Sequence, residues 1–457
     1  MASAFTDFDR IADVFRQVLD SSVADETELV WFERRYGAAS VGPQWAPPLH
    51  DRTGGDDAFP DRPLLSVLVR VVQGGRLGWH RTHVGDANEL ESGVRQALAV
   101  ATARPALGQR PVLPTGTRRR GADGPRLHDP GIAALDVESA RALLRDARGE
   151  DDALSAHLDW SETRIAVANS HGVRRRTSTT EASLQVRCGA GVGCGFATAS
   201  ARRLDDLSPP SLVERARERS ADSSAPNTLD TDGEHVVLLA PEAVAVLLDV
   251  LNVFAFAGRA YLDGTSFLAR HRNVQVFDRS LHLVDDATRA SGLPFPFDLE
   301  GSAKEPIELI VDGRPSTPAL DKLQSTQAGL AATAHSVGGT DALFGNLFLE
   351  PGDASWPELL ERAGTGLWIG WLEPPECVEP STLTLRTTAR GVRRIENGRL
   401  GAPVPDLRWQ QSLLGALARL RAVGADSAVR VVPSTPLGAV AAPALLLESV
   451  TGLRVAP

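Results

Sequence analysis

The sequence predicts an α+β fold with three regions: an N-terminal α/β module, a strand-rich central region, and a mostly-β C-terminal domain holding one buried helix. Strands and helices alternate irregularly, without the repeating βαβ units of a doubly wound sheet. Past residue 257 the pattern is mostly strand and turn. The 457 residues, 42% hydrophobic and 23% charged, are enough for two or three real cores. The regions divide as 1–105, 106–232 and 233–457.

Phe8, Ile11, Ala12, Val14, Phe15 and Val18 recur at helical spacing, and Glu28 to Ser40 turns to strand composition. A Pro/Gly-rich loop follows from Gly42 to Pro63. Leu64 to Val72 and Leu77 to Val84 then form a hairpin about Gly74-Gly75, and Glu89 to Ala103 is an amphipathic helix. Residues 105 to 130 read as a linker or surface loop, with Arg118, Arg119 and Arg120 as a solvated run. Asp136 caps a helix to Ala147. Strands are expected at Arg164 to Asn169, Val173 to Thr179 and Ala182 to Ala199, then a helix from Ser208 to Ser220 and a polar linker at 221–233. In the last region a strand at His235 to Leu239 leads into a buried helix, Pro241 to Ala257. Further helices are predicted at Trp356 to Ala363 and Gln411 to Val423.

Charge and side-chain inventory narrow the function classes. A net charge of −10 leaves no basic field for nucleic acid or anionic lipid. Lys304 and Lys322 are the lysines; the other basic residues are arginine, which reads as codon bias. Cys188, Cys194 and Cys377 form no C-x-x-C pair, which suits a reduced, cytoplasmic chain. The start, with Asp7, Asp9, Arg10, Asp13 and Arg16, does not read as a signal peptide, and Val236 to Gly258 is too polar to span a membrane. No two histidines lie four apart, so an H-E-x-x-H zinc helix is absent.

Other catalytic templates fare no better. Gly189, Gly191, Gly193 and Gly195 have the wrong spacing for a dinucleotide fingerprint and read as a glycine-rich strand with close backbone approach. There is no Walker A loop and no G-x-S-x-G, which removes the esterase elbow without removing every serine hydrolase. His80 and His83 point to opposite faces of a strand end. The carboxylates Asp285, Asp286, Asp298, Glu300 and Glu305 lack a histidine or further carboxylate at a spacing that would specify a site, and read as turn residues.

The order of motifs resembles the TldD/TldE (PmbA) family over about 400 residues. These motifs are LVRVVQGGRLGWHRTHV at 68–84, IAVANSHGV at 165–173, HVVLLAPEAVAVLLDVL at 235–251, PFDLEG at 296–301, ELIVDGRP at 308–315, NLFLEPG at 346–352, GTGLWIGWLE at 364–373 and RRIENGRLGAPV at 393–404. One branch of the family is a zinc peptidase with H-E-x-x-x-H on the helix after the VVLL-type strand. Here the resemblance puts Asp249 at the first histidine, Val250 at the glutamate and Phe254 at the second histidine, and the catalytic branch's C-terminal cysteine is missing. Neither valine nor phenylalanine can ligate zinc or take a proton from its water.

The resemblance thus implies a PmbA/TldD-like fold and a TldE-like subunit with no catalytic or metal residue and no cofactor of its own. Zinc is expected in a TldD-like partner, and the substrate is a peptide. Asp249, Asp298, Glu300 and Asn169 are the candidate chamber or substrate contacts. Two alternatives stay open: a hydrolase or transferase site of the chain's own built from Asp249, Asp298, Glu300 and His282, or a binding module delivering a carrier protein or peptide.

Overall fold

The computed structural model describes residues 5–43, 63–105, 113–116, 127–221, 229, 233–339, 341–435 and 437–456. The arginine run at 118–120 and most of the loops expected at 42–63 and 221–233 lie outside them.

The first half is built on one antiparallel sheet. Its strands are β1 (Glu26–Val41), β2 (Leu64–Gln73), β3 (Arg76–Thr82), β4 (Leu154–Asn169), β5 (Arg174–Cys188) and β6 (Gly195–Ala201), in the order β3-β2-β1-β4-β5-β6. Residues 1–105 and 106–232 therefore share a sheet, because β1 pairs β4 from Glu28↔Asn169 to Val41↔Ala156. The helices on one face are α1 (Phe8–Ser21), α2 (Ala87–Ala103), α3 (Pro130–Ala133), α4 (Val137–Arg148) and α5 (Pro209–Arg219). Ile11, Phe15 and Val18 of α1 and Leu90, Val94 and Ala97 of α2 bury Trp31, Val67, Val69 and Val71. Leu144 of α4 and Leu212, Val213 and Ala216 of α5 cover β4 to β6. Asp136 caps α4 through a capping box with Ser139.

Two predicted boundaries shift. β4 begins ten residues before Arg164, because the pairing with β1 and β5 continues to Leu154 and buries residues the local pattern leaves ambiguous. β5 runs unbroken through Thr180, which pairs with Glu162. The glycine run is also corrected. Gly189, Gly191 and Gly193 have φ of 80°, 64° and 86° and make the β5–β6 turn, so they are not strand. The close backbone approach is found at Gly193 and Gly195, where a Cβ would lie 2.4 Å from the Ala221 carbonyl and 1.9 Å from the Ala216 carbonyl of α5.

The second half opens with β7 (His235–Leu239) and α6 (Pro241–Leu251), which changes at Asn252–Phe256 into a π-helical turn. A ten-stranded mixed sheet surrounds α6. Nine strands lie in the order β10 (Arg314–Pro315), β9 (Ile307–Val311), β8 (Leu283–Asp285), β11 (Asn346–Leu349), the strand Ala439–Val450, β7, β12 (Gly366–Ile369), Arg393–Glu396 and Arg399–Pro403, and the tenth, Leu420–Arg430, pairs with Ala439–Val450 off this path. A smaller sheet carries Thr384–Arg390, Leu407–Ser412 and Leu453–Val455. The helix predicted over Gln411 to Val423 is one short turn, Leu413–Leu417, between two strands. From Leu420 the chain pairs with Ala439–Val450, and this long-range pairing overrides local helical composition. The two halves meet where Val30, Leu68, Ile165 and Val167, on the sheet face away from the helices, bury Phe295 and Phe297.

Candidate functional site

The helix α6, on which the resemblance would put a zinc motif, is filled for packing. Val244, Leu247, Leu248, Val250 and Leu251 are buried, and Phe254 packs half-buried against the same core. Asp249 accepts a hydrogen bond from the Ser434 backbone N–H at 2.9 Å. Burial raises its carboxyl's pKa, and that bond and the Arg430 charge work the other way. One turn on, Asn252 donates to the Phe344 carbonyl and the Ser434 hydroxyl, both at 2.9 Å, and accepts from the Phe344 N–H at 3.1 Å. Asp249 and Asn252 thus clamp the loop at Ser434.

Asp298 and Glu300 converge elsewhere, in a buried charge cluster where the two halves meet. Glu28 of β1 and Arg70 of β2 are register partners. Arg70 donates to Glu300 at 2.6 Å and approaches Glu28 at 2.8 Å. The contact with Glu28 is one of charge, off the N–H axis, and neither Glu28 oxygen has an aligned donor. Glu300 also accepts from the Lys322 N–H at 3.0 Å. Asp298 accepts from the backbone N–H groups of Glu300, Ser302 and Ser336 at 2.9–3.0 Å.

One guanidinium cannot neutralise so many carboxylates. Burial, with the negative charge of Glu300 and Asp298 opposing the pull of Arg70, pushes Glu28 up to about 8. Burial and Glu300 push Asp298 up to about 7 and Asp321 up to about 6. Arg70 is raised as well: burial works to lower it, but the charges of Glu28 and Glu300 outweigh that cost and hold its proton more tightly. Burial and mutual repulsion thus favour a carboxyl proton in the cluster, and Glu28, raised furthest and without aligned donors, is the carboxyl best suited to hold it.

Beside it lies a second pair. His335 Nε2 is 2.7 Å from Asp285 and Nδ1 is 2.6 Å from the Thr333 carbonyl. Burial drives the His335 pKa down, whereas Asp285 is held low despite burial by His335, Lys304 and the Asn346 N–H. A carbonyl and an ionised carboxylate both accept, so the geometry favours imidazolium over the neutral ring that burial alone would give. Burial also lowers Lys304, opposed by Asp285 and Asp298.

The other predicted residues lie apart. Asn169 is buried and fully engaged: its amide donates to the Pro114 carbonyl and accepts from the His171 and Val173 N–H groups. His282 is half-exposed and faces Asp312 at 3.4 Å. Glu28, Arg70, Asp321 and His335 escaped the sequence reading. The available signals were opposite charges at buried strand positions and the rarity of lysine, which was set down to codon bias.

Residues 232–452 match the family model of the PmbA/TldA metallopeptidase C-terminal domain, and residues 131–223 match that of the central domain. The chain belongs to the PmbA/TldD (TldD/TldE) family. A Methanothermobacter thermautotrophicus protein named a metalloprotease is 22% identical over 305 residues, 65% of this chain. The match spans 62% of that relative's length. Among solved structures, TldE of Thermococcus kodakarensis superposes with a TM-score of 0.77 at 19% identity over 97% of this chain and 98% of its own. A Thermotoga maritima protein named for modulation of a DNA gyrase gives 0.78 at 18% over 98% of this chain and 100% of its own. These likenesses establish the PmbA/TldD fold. Among the described residues no group of three or more His, Cys, Asp or Glu side chains is arranged to hold a metal, and no helix is long and apolar enough to cross a membrane.

Proposed function

We propose that this chain is the noncatalytic, TldE-like subunit of a heterodimeric TldD/TldE zinc peptidase, located in the cytoplasm. It helps to enclose a chamber in which a TldD-like partner, carrying the zinc, cleaves unfolded or modified peptides, as in the maturation of a peptide natural product. The observation that carries this reading is the state of α6. Where the catalytic branch has His, Glu and His, this family member has an aspartate spent on the Ser434 backbone, a valine 3% exposed and a phenylalanine packed on the core. A zinc hydrolase needs neutral imidazoles and a base for the metal's water; valine and phenylalanine supply neither, and the Asp249 carboxylate is taken up by the Ser434 N–H. The fold shared with the Thermococcus TldE supports the assignment to that branch. Sheet edges suit an extended peptide, which can add as a strand, and Asp298, Glu300 and Asn169 are proposed to shape the chamber wall by holding its loops.

The test is to purify the chain alone and together with a TldD-like partner, measuring zinc by mass spectrometry and cleavage of an unfolded peptide. The isolated chain is expected to be zinc-free and silent toward peptides, with cleavage only in the pair. Stoichiometric zinc with peptidase activity in the isolated chain would refute the reading.

A further inference from the structure

A second constellation lies on β1 and β4, away from α6 and from the charge cluster. Ser40 and His157 are register partners, and the Ser40 hydroxyl is 2.7 Å from His157 Nδ1. Two residues further along β4, on the same face, Asp159 brings a carboxylate oxygen to 3.1 Å from His157 Nε2. Ser40 is exposed, the His157 side chain is 10% exposed and that of Asp159 25%, so a hydroxyl at the surface is backed by a sheltered imidazole and a carboxylate. In the tautomer that carries its proton on Nε2, the nitrogen near Asp159, the Nδ1 lone pair is left for the Ser40 O–H. The carboxylate sits off the ring N–H axis, a looseness common in such sets before substrate binds.

Two further features point to a ligand. The row containing Ser40 and His157 continues to Gln185 on β5, which is 5% exposed and whose side-chain oxygen has no hydrogen-bond partner. Along the strands, the row containing Asp159 closes one end of a cavity of about 700 Å³. Its walls include Phe32, Leu64 and Leu65 on the apolar side and Arg34 and Arg81 on the polar side. Ser40 and His157 lie outside the cavity lining, one row beyond Asp159 or about 7 Å along the strands, at the end toward which a bound chain would point.

We propose that Ser40, His157 and Asp159 are a nucleophile, its base and the base's orienting partner, forming a hydrolytic site for carboxylic esters with an apolar acyl chain. The Ser40 proton passes to His157 Nδ1 as Oγ bonds to the carbonyl carbon. The C–OR bond breaks, and the leaving alkoxide takes the proton from His157 and departs as the alcohol. Water then gives a proton to the same nitrogen and cleaves the seryl ester, releasing the acid and restoring the hydroxyl. No oxidant, metal or cofactor enters. The site is independent of the peptidase role proposed above, so either can fail without the other.

The test uses the full chain, a fluorophosphonate probe and p-nitrophenyl butyrate. Attack on the probe forms an Oγ–P bond and expels fluoride, with the Ser40 proton going to His157. The adduct is expected on the peptide carrying Ser40, and Ser40→Ala should abolish both the adduct and ester turnover with an unchanged melting temperature, the position being exposed. His157→Gln should slow labelling by about 100-fold or more. Should that variant misfold, Asp159→Asn, at a more exposed position, should also slow labelling. A chelator should change none of these rates. The proposal is overturned if folded wild-type chain leaves Ser40 unlabelled, or if folded His157→Gln or Asp159→Asn labels at the wild-type rate.

Discussion

Glu28 is the residue whose environment makes the sharpest prediction. A carboxyl held up to about 8 keeps its proton in the folded chain while the unfolded chain, titrating near about 4.3, has lost it. Folding stability at this site is therefore complete at low pH and falls as pH rises through 8. Glu28→Gln imitates the protonated form permanently. Urea unfolding of the wild type should lose on the order of 2 kcal/mol more between pH 6 and 8.5 than the variant does. Equal losses in the two proteins would place the shared proton on another member of the cluster. At this scale Asp249 stands out in the sequence as a charge inside an apolar run, and the structure engages it with the Ser434 backbone under the influence of the Arg430 charge. It was not legible for Glu28, because Arg70 comes from the neighbouring strand and Glu300 from 230 residues beyond Arg70. Local composition does not encode such a meeting.

Among the elements, those with strong local signals are where the sequence puts them. α1 has its periodic apolar face, α4 its Asp136 cap and the β2–β3 hairpin its glycine pair. Errors gathered where a partner strand decides the outcome: the early start of β4, the continuity of β5 and the strand from Leu420. The glycine run was misread because alternate glycines fit both a strand and a tight turn, and only the φ values separate them. Gly195, the one that approaches a helix, supplies a test of the β6–α5 contact. Gly195→Ala drives a methyl into the Ala216 carbonyl and should cost about 1–3 kcal/mol, read as a lower urea midpoint. Gly191→Ala lies in open space and should cost only the strain of its positive φ, about 1 kcal/mol.

Across the whole molecule, the helix-free face of the first sheet is tied to the second half by apolar contacts and by arginines, among them Arg70, Arg175 and Arg202. Arg202 is 6% exposed and donates to the carbonyls of Thr180, Leu293, Pro294 and Leu437 at 2.9–3.2 Å. Burial lowers its pKa to about 10, which still leaves it charged at neutral pH. Arg202→Met removes every donor and leaves buried carbonyls unpaired, so a loss of about 3 kcal/mol or more is expected in urea unfolding. Arg202→Lys should recover only part of it, because an ammonium group cannot reach carbonyls spread around a guanidinium plane. A melt unchanged in Arg202→Met would show that the other contacts of the junction, such as Phe295, Phe297 and the Arg70–Glu300 pair, hold the halves together without it.

The pairing of β1 with β4 also bears on how the chain is made. While residues 42 to 153 are still being synthesised, β1 can close one edge on β2, but its other edge has no partner until the segment ending at Asn169 leaves the ribosome. At about 5–20 residues per second that wait is on the order of ten seconds. Through it a long open strand edge, with Val30 and Trp31 beside it, stays available for mispairing with another nascent chain. Chaperone demand during translation should accordingly peak before Asn169 emerges and fall once β4 has docked.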